Sequence, residues 1–188
     1  MTKTPATKHD VAIHEAGHAV AACVLGFPPS RVKLFYAGPD TVDAGVSWDQ
    51  AAAGTDASLV FYYAGGAAEL LAGATEPRGT TGDDECIEDI KRRLAVMSSE
   101  DVRGRLSSAK GRAFAILMKR WDAVEKIAAR LELEGSMSMV DVVRAVDVGQ
   151  PSPTMHNVII PADRLERFGD TGLDYIEFDP DDQPPPSL

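Results

Sequence analysis

Val11, Ala12, Ile13, Ala16, Ala19, Val20, Cys23 and Val24 recur three or four positions apart and form one broad apolar stripe, which predicts a helix over about residues 9–25. Thr7 or Asp10 is placed to cap its start, and Gly26 followed by Phe27-Pro28-Pro29 stops it. The period then changes to two. Residues Arg31 to Tyr36 alternate, and Ala44 to Trp48 alternate more weakly, with Gly38-Pro39-Asp40 between them; this predicts a small hairpin with a loose turn. Residues 56–71 read as a second helix, rich in alanine and interrupted by Gly65-Gly66. Each glycine inside a helix costs roughly 1 kcal/mol relative to alanine, so the pair implies that another backbone packs closely there.

A loop from Gly73 to Gly82 leads to a third helix with Ile87, Ile90, Leu94 and Met97 on one side. Residues 99–133 make a longer, more charged helical stretch. Its buried face is marked by Phe114, Ile116, Leu117, Trp121, Val124, Ile127, Ala128 and Leu131, and Gly104 and Gly111 are the expected breaks. A short helix over 136–146, with a serine cap, closes the ordered part. The pattern as a whole predicts a mainly α (α+β) fold with a small β-hairpin after the first helix. Residues 1–149 form its domain, and residues 150–188 an acidic, proline-rich and flexible tail with apolar islands at Val158 to Ile160 and Leu173 to Phe178.

Charge narrows the function. Nineteen basic residues against twenty-nine acidic leave a net −10, and the stretch from Pro151 to Leu188 alone contributes −6. A nucleic-acid binder needs a basic face, so that class is set aside. The first helix carries His14, Glu15 and His18 and is too polar to span a membrane, and Met1 to His9 has no apolar run of the secretory kind. Two cysteines, Cys23 and Cys86, make no disulfide framework. The expectation is a cytoplasmic protein with no membrane attachment.

One motif carries the candidate chemistry: His14-Glu15-Ala16-Gly17-His18, an HExxH pattern on a predicted helix. Positions i and i+4 project from one helix face, so two imidazoles spaced this way can share a metal ion. Glu15, about 100° further round, can reach an activated water without displacing them. Zinc is the expected occupant, one per chain, with Glu15 as general base. A chance match is expected on the order of 0.005 times in a chain of this composition. His9 is read as a surface histidine and His156 as a tail residue without a partner. Phe61-Tyr62-Tyr63 reads as core.

The flanks of the motif point further. The run from Val11 through His14-Glu15-Ala16-Gly17-His18-Ala19 resembles the zinc-binding helix of the FtsH family of metalloproteases. Ala64-Gly65-Gly66-Ala67-Ala68-Glu69-Leu70-Leu71 is similar to that family's second helix, and Thr80-Thr81-Gly82-Asp83-Asp84 is similar to the segment that delivers its third ligand, an aspartate. The resemblance covers residues 8–147 and implies a zincin-like peptidase unit acting on a protein or peptide substrate. The family's ATPase and transmembrane parts have no counterpart in the sequence, so ATP-independent action is expected and the hexamer is not carried over. The third ligand stays open. A gap-free count places the family's aspartate on Cys86, whereas helix phase against Ile87, Ile90 and Leu94 favours Asp83, with Asp84 adjacent. Glu69 is a fourth candidate, either as a ligand or hydrogen-bonded to a ligand histidine. The competing expectation is a non-catalytic zinc-containing module that binds another protein.

Overall fold

A computed structural model describes residues 6–38, 41–48, 54–77, 81–97, 102–147, 159–161 and 175–177. The first helix, α1 (Lys8–Val24), starts on a reciprocal cap in which both candidates take part. The Asp10 N–H donates to Thr7 Oγ1 at 3.1 Å, and the Thr7 N–H donates to Asp10 Oδ2 at 2.8 Å. Gly26, at φ 89°, turns the chain out of the helix. Strands β1 (Arg31–Gly38) and β2 (Thr41–Ser47) pair antiparallel, as the alternation predicts. Residues 39–40 of the expected turn lie outside the described residues.

Helices α2 (Thr55–Leu71) and α3 (Thr81–Met97) follow. Thr81 and Gly82, read from sequence as the end of a loop, are the first residues of α3. Ile87, Ile90 and Leu94 are buried along one side of it, in the phase their spacing requires. The long helical stretch divides into α4 (Val102–Lys119) and α5 (Trp121–Glu134), and the expected break positions are corrected by this division. Gly104 and Gly111 both sit within α4, and a Cβ at Gly111 would meet nothing within 4 Å. The chain breaks instead at Arg120 (φ −128°, ψ 27°), which lets Phe114 and Leu117 on one helix and Trp121 and Val124 on the next all reach the core.

The stretch read as the last helix also differs. Gly135 adopts φ 74°, and Ser136–Ser138 forms a third strand, β3, before α6 (Met139–Asp147) begins. The serine cap is Ser138, whose Oγ accepts from the Asp141 N–H at 3.4 Å. β3 pairs antiparallel with β1, giving a three-stranded sheet in the order β2-β1-β3. Three residues show too little alternation to be seen as a strand, and their partner is a hundred positions away in the chain. Within the stretch read as a tail, β4 (Ile159–Pro161) and β5 (Tyr175–Glu177) pair antiparallel, and the rest of 148–188 lies outside the described residues. The fold is therefore mainly helical with a small antiparallel sheet. No helix among the described residues is long and apolar enough to cross a membrane.

The core forms where α1 packs between α2 and α5. Alanines 12, 16 and 19 of α1 and 64, 67 and 68 of α2 are fully buried, so the two helices meet through small side chains. The helix backbones come close at Gly17, where a Cβ would stand 2.6 Å from the Ala64 carbonyl oxygen and 2.7 Å from the Ala68 Cβ. The close backbone approach expected of Gly65-Gly66 is thus made by Gly17. Gly65 has a different neighbour, described next.

Candidate metal centre

α1 is buried almost all round, and His14, Glu15 and His18 are buried with it. One helical turn separates the two histidines, so their rings share a face and meet edge to face, 4.7 Å between centroids. His14 Nε2 and His18 Nε2 stand 3.0 Å apart. Asp83 Oδ2, from the first turn of α3, lies 3.0 Å from the first and 3.1 Å from the second. These three atoms make the metal-competent cluster among the described residues.

The outer nitrogens settle which atoms face inward as lone pairs. His18 Nδ1 lies 2.7 Å from the Phe61 carbonyl oxygen, which can only accept, so Nδ1 carries the proton. His14 Nδ1 lies 2.7 Å from Glu69 Oε1, and an ionised carboxylate imposes the same tautomer. In the neutral rings both Nε2 atoms are then bare acceptors, facing each other and a carboxylate oxygen at about 3 Å. Three acceptors converge only if positive charge lies among them. The chemistry of this donor set, two imidazoles and a carboxylate, fits a divalent zinc ion with its remaining coordination open.

The electrostatics point the same way. Burial by itself lowers the His14 pKa, but hydrogen bonds to Asp83 and Glu69, with the charges of Asp83 and Glu15, outweigh it and push it up to about 10. For Asp83, burial raises the pKa, yet the charge of His18 and the hydrogen bonds to both histidines hold it well below the usual carboxylate range. In the metal-free protein a proton on His14 takes the place of the cation.

Gly65 supplies the room. A Cβ there would stand 2.5 Å from His14 Cε1 and from the Nε2 of both histidines. The glycine in the middle of α2 thus makes space for two imidazoles rather than for a backbone. Asp83 is the most open of the three cluster residues, its side chain 15% exposed against 5% and 4% for His14 and His18.

The four candidates for the third position separate clearly. Asp83 reaches the imidazoles. Asp84 is exposed: one residue along a helix turns the side chain by about 100°, away from the face carrying Ile87 and Ile90. Cys86 is half-buried and packs against the hydrophobic core, outside the cluster. Glu69, buried in α2, meets His14 at the nitrogen facing away from the cluster, where it can orient the ring without joining the cluster. His9 is exposed and pairs with Glu132 Oε1 at 2.6 Å, whereas His156 lies outside the described residues. Phe61, Tyr62 and Tyr63 are buried, as expected of core. The Phe61 carbonyl has a part that no side-chain pattern announces, since every residue carries such a group. Gly65 did leave a signal, an unfavourable residue in a helix interior, but not its meaning. No protein-family model and no curated protein matches this chain.

Proposed function

We propose that the chain is a zinc-dependent, ATP-independent peptidase in which His14, His18 and Asp83 hold the metal and Glu15 is the general base. The observation that carries this reading is the convergence of three ligand atoms from an HExxH helix and a separate helix, with the motif's glutamate buried beside them. The resemblance to the FtsH peptidase unit supports it. Its three sequence blocks lie on α1, α2 and the start of α3, and each contributes to this one place: both histidines, Gly65 and Glu69, and Asp83.

When bound, zinc supplies Lewis acidity, polarising a carbonyl and making water a better nucleophile near neutral pH. The chain's own residues do the rest. Glu69 and the Phe61 carbonyl hold the two rings so that both Nε2 lone pairs face inward. The Glu15 carboxylate takes a proton from the attacking water and returns it to the leaving nitrogen. β2 lies at an edge of the sheet, and an extended peptide can be seated along it by main-chain pairing.

The deciding experiment pairs metal analysis with proteolysis of unfolded test proteins. Wild type is expected to hold close to one zinc per chain, and a His14→Ala/His18→Ala variant almost none. Glu15→Gln keeps the zinc and lowers cleavage by roughly 10² or more. Zinc without cleavage in either protein would instead support a non-catalytic module that binds a protein partner.

A further inference from the structure

A stack of aromatic rings leads away from one of the metal ligands. The His18 ring lies on Phe61, with centroids 4.6 Å apart and planes 30° apart, and Phe61 lies on Trp48 at 4.2 Å and 31°. Phe27 and Tyr62 close around the indole at 5.1 and 5.9 Å. These four residues come from the turn after α1, the position just after β2 and the N-terminal half of α2. Phe27, Phe61 and Tyr62 are buried, but Trp48 is only half-buried. The stack therefore begins on a candidate metal ligand and ends on a partly exposed indole beside an edge strand.

The stack is also held rigidly. Phe61 fixes His18 twice, through its carbonyl at Nδ1 and through its ring face. Phe61 cannot turn away from Trp48 without disturbing that ligand, so the two rings keep their stacking. Aromatic rings offer large contact area and favour offset stacking with other rings. A carboxylate brought against the faces of these four rings would lose its hydration without gaining a partner.

We propose that Trp48 is the wall of a side-chain subsite beside the metal centre, selecting peptides with a bulky apolar residue, aromatic or leucine-like, next to the scissile bond. This inference rests on the peptidase reading above. The test needs no known substrate. Acetohydroxamic acid and 3-phenylpropionohydroxamic acid carry the same metal-binding group, and the second adds an aromatic arm. Both are titrated calorimetrically, and by tryptophan emission, into the zinc-loaded full chain.

The arylated compound is expected to bind at least about 10-fold more tightly, the scale on which apolar pockets discriminate, and to perturb tryptophan emission. Trp48→Ala should bring the two affinities together while still binding acetohydroxamic acid, which also shows that the variant's metal site has formed. Trp48→Phe should keep part of the preference. A wild type that binds both compounds equally, or a preference that survives in Trp48→Ala, overturns the subsite and leaves the metal centre standing. A zinc-treated wild type that binds neither compound overturns the metal reading and the subsite with it.

Discussion

His14 is held from both sides: Nδ1 against Glu69 at 2.7 Å, and Nε2 against Asp83 at 3.0 Å. The two acids have different parts, and substitutions should separate them. Glu69→Gln removes the charge that fixes the ring's tautomer but leaves all three ligand atoms. Zinc affinity is expected to fall by about 10- to 100-fold, the usual cost of losing a carboxylate behind a ligand histidine. Asp83→Asn removes the charge of the candidate third ligand and should weaken binding on the order of 10-fold or more. Asp84→Asn, one position along the helix, exposed and outside the cluster, should leave it within a factor of about two, the usual range of a surface substitution. Competition against a chromogenic chelator measures all three. Equal losses at 83 and 84 would refute the assignment of Asp83.

At the scale of elements, the site is a product of how closely α1 and α2 approach. Two glycines make that approach, each facing a different part of the partner helix. Gly17 meets the backbone of α2, whereas Gly65 meets the imidazoles of α1. Their alanine variants should fail in different ways. Gly17→Ala places a methyl group against the Ala64 carbonyl and pushes the helices apart, costing about 1–3 kcal/mol by overpacking. Gly65→Ala places it on the two Nε2 atoms, so it should abolish zinc binding even where the helices still pack. Chemical denaturation and metal content, measured on both variants, distinguish the two effects. A Gly65→Ala protein with full zinc content would show that the rings have room to move.

For the whole molecule, the cluster ties α3 to α1, while Glu69 and Phe61 of α2 hold the rings. A ligand that binds only the folded state stabilises it by mass action, about 4 kcal/mol when present at 1,000 times its dissociation constant. Chelation should therefore lower Tm, and added zinc should restore it; the His14→Ala/His18→Ala variant should respond to neither. The metal-free protein should also show a characteristic pH dependence. His14 has its pKa raised, so its contribution is fully present below the ordinary value of 6.5 and is lost as pH rises towards about 10. Asp83 has its pKa lowered, so its contribution is present above the ordinary carboxylate value of 3.8 and is lost as pH falls below it. Tm of chelator-treated protein should thus decline on both sides of an interval from about pH 4 to 6.5. A flat Tm between pH 7 and 10 would contradict the raised His14 pKa.

Local features of the chain were legible from its order of residues. Apolar periodicity marked α1, α2 and the inward face of α3, because helical side chains repeat on one face whatever the helix packs against. The i, i+4 spacing paired the two histidines for the same reason. Asp83 stands in phase with Ile87, Ile90 and Leu94 because those residues point inward, and the acid ahead of them shares their side of the helix. What depends on distant partners was not legible. The break at Arg120, the short strand β3 and the Phe61 carbonyl at His18 are all consequences of which surfaces meet in three dimensions. Gly65 is the clearest case: its position in a helix is visible in sequence, but the two rings that require it come from about fifty residues away and become neighbours only when α1 and α2 pack.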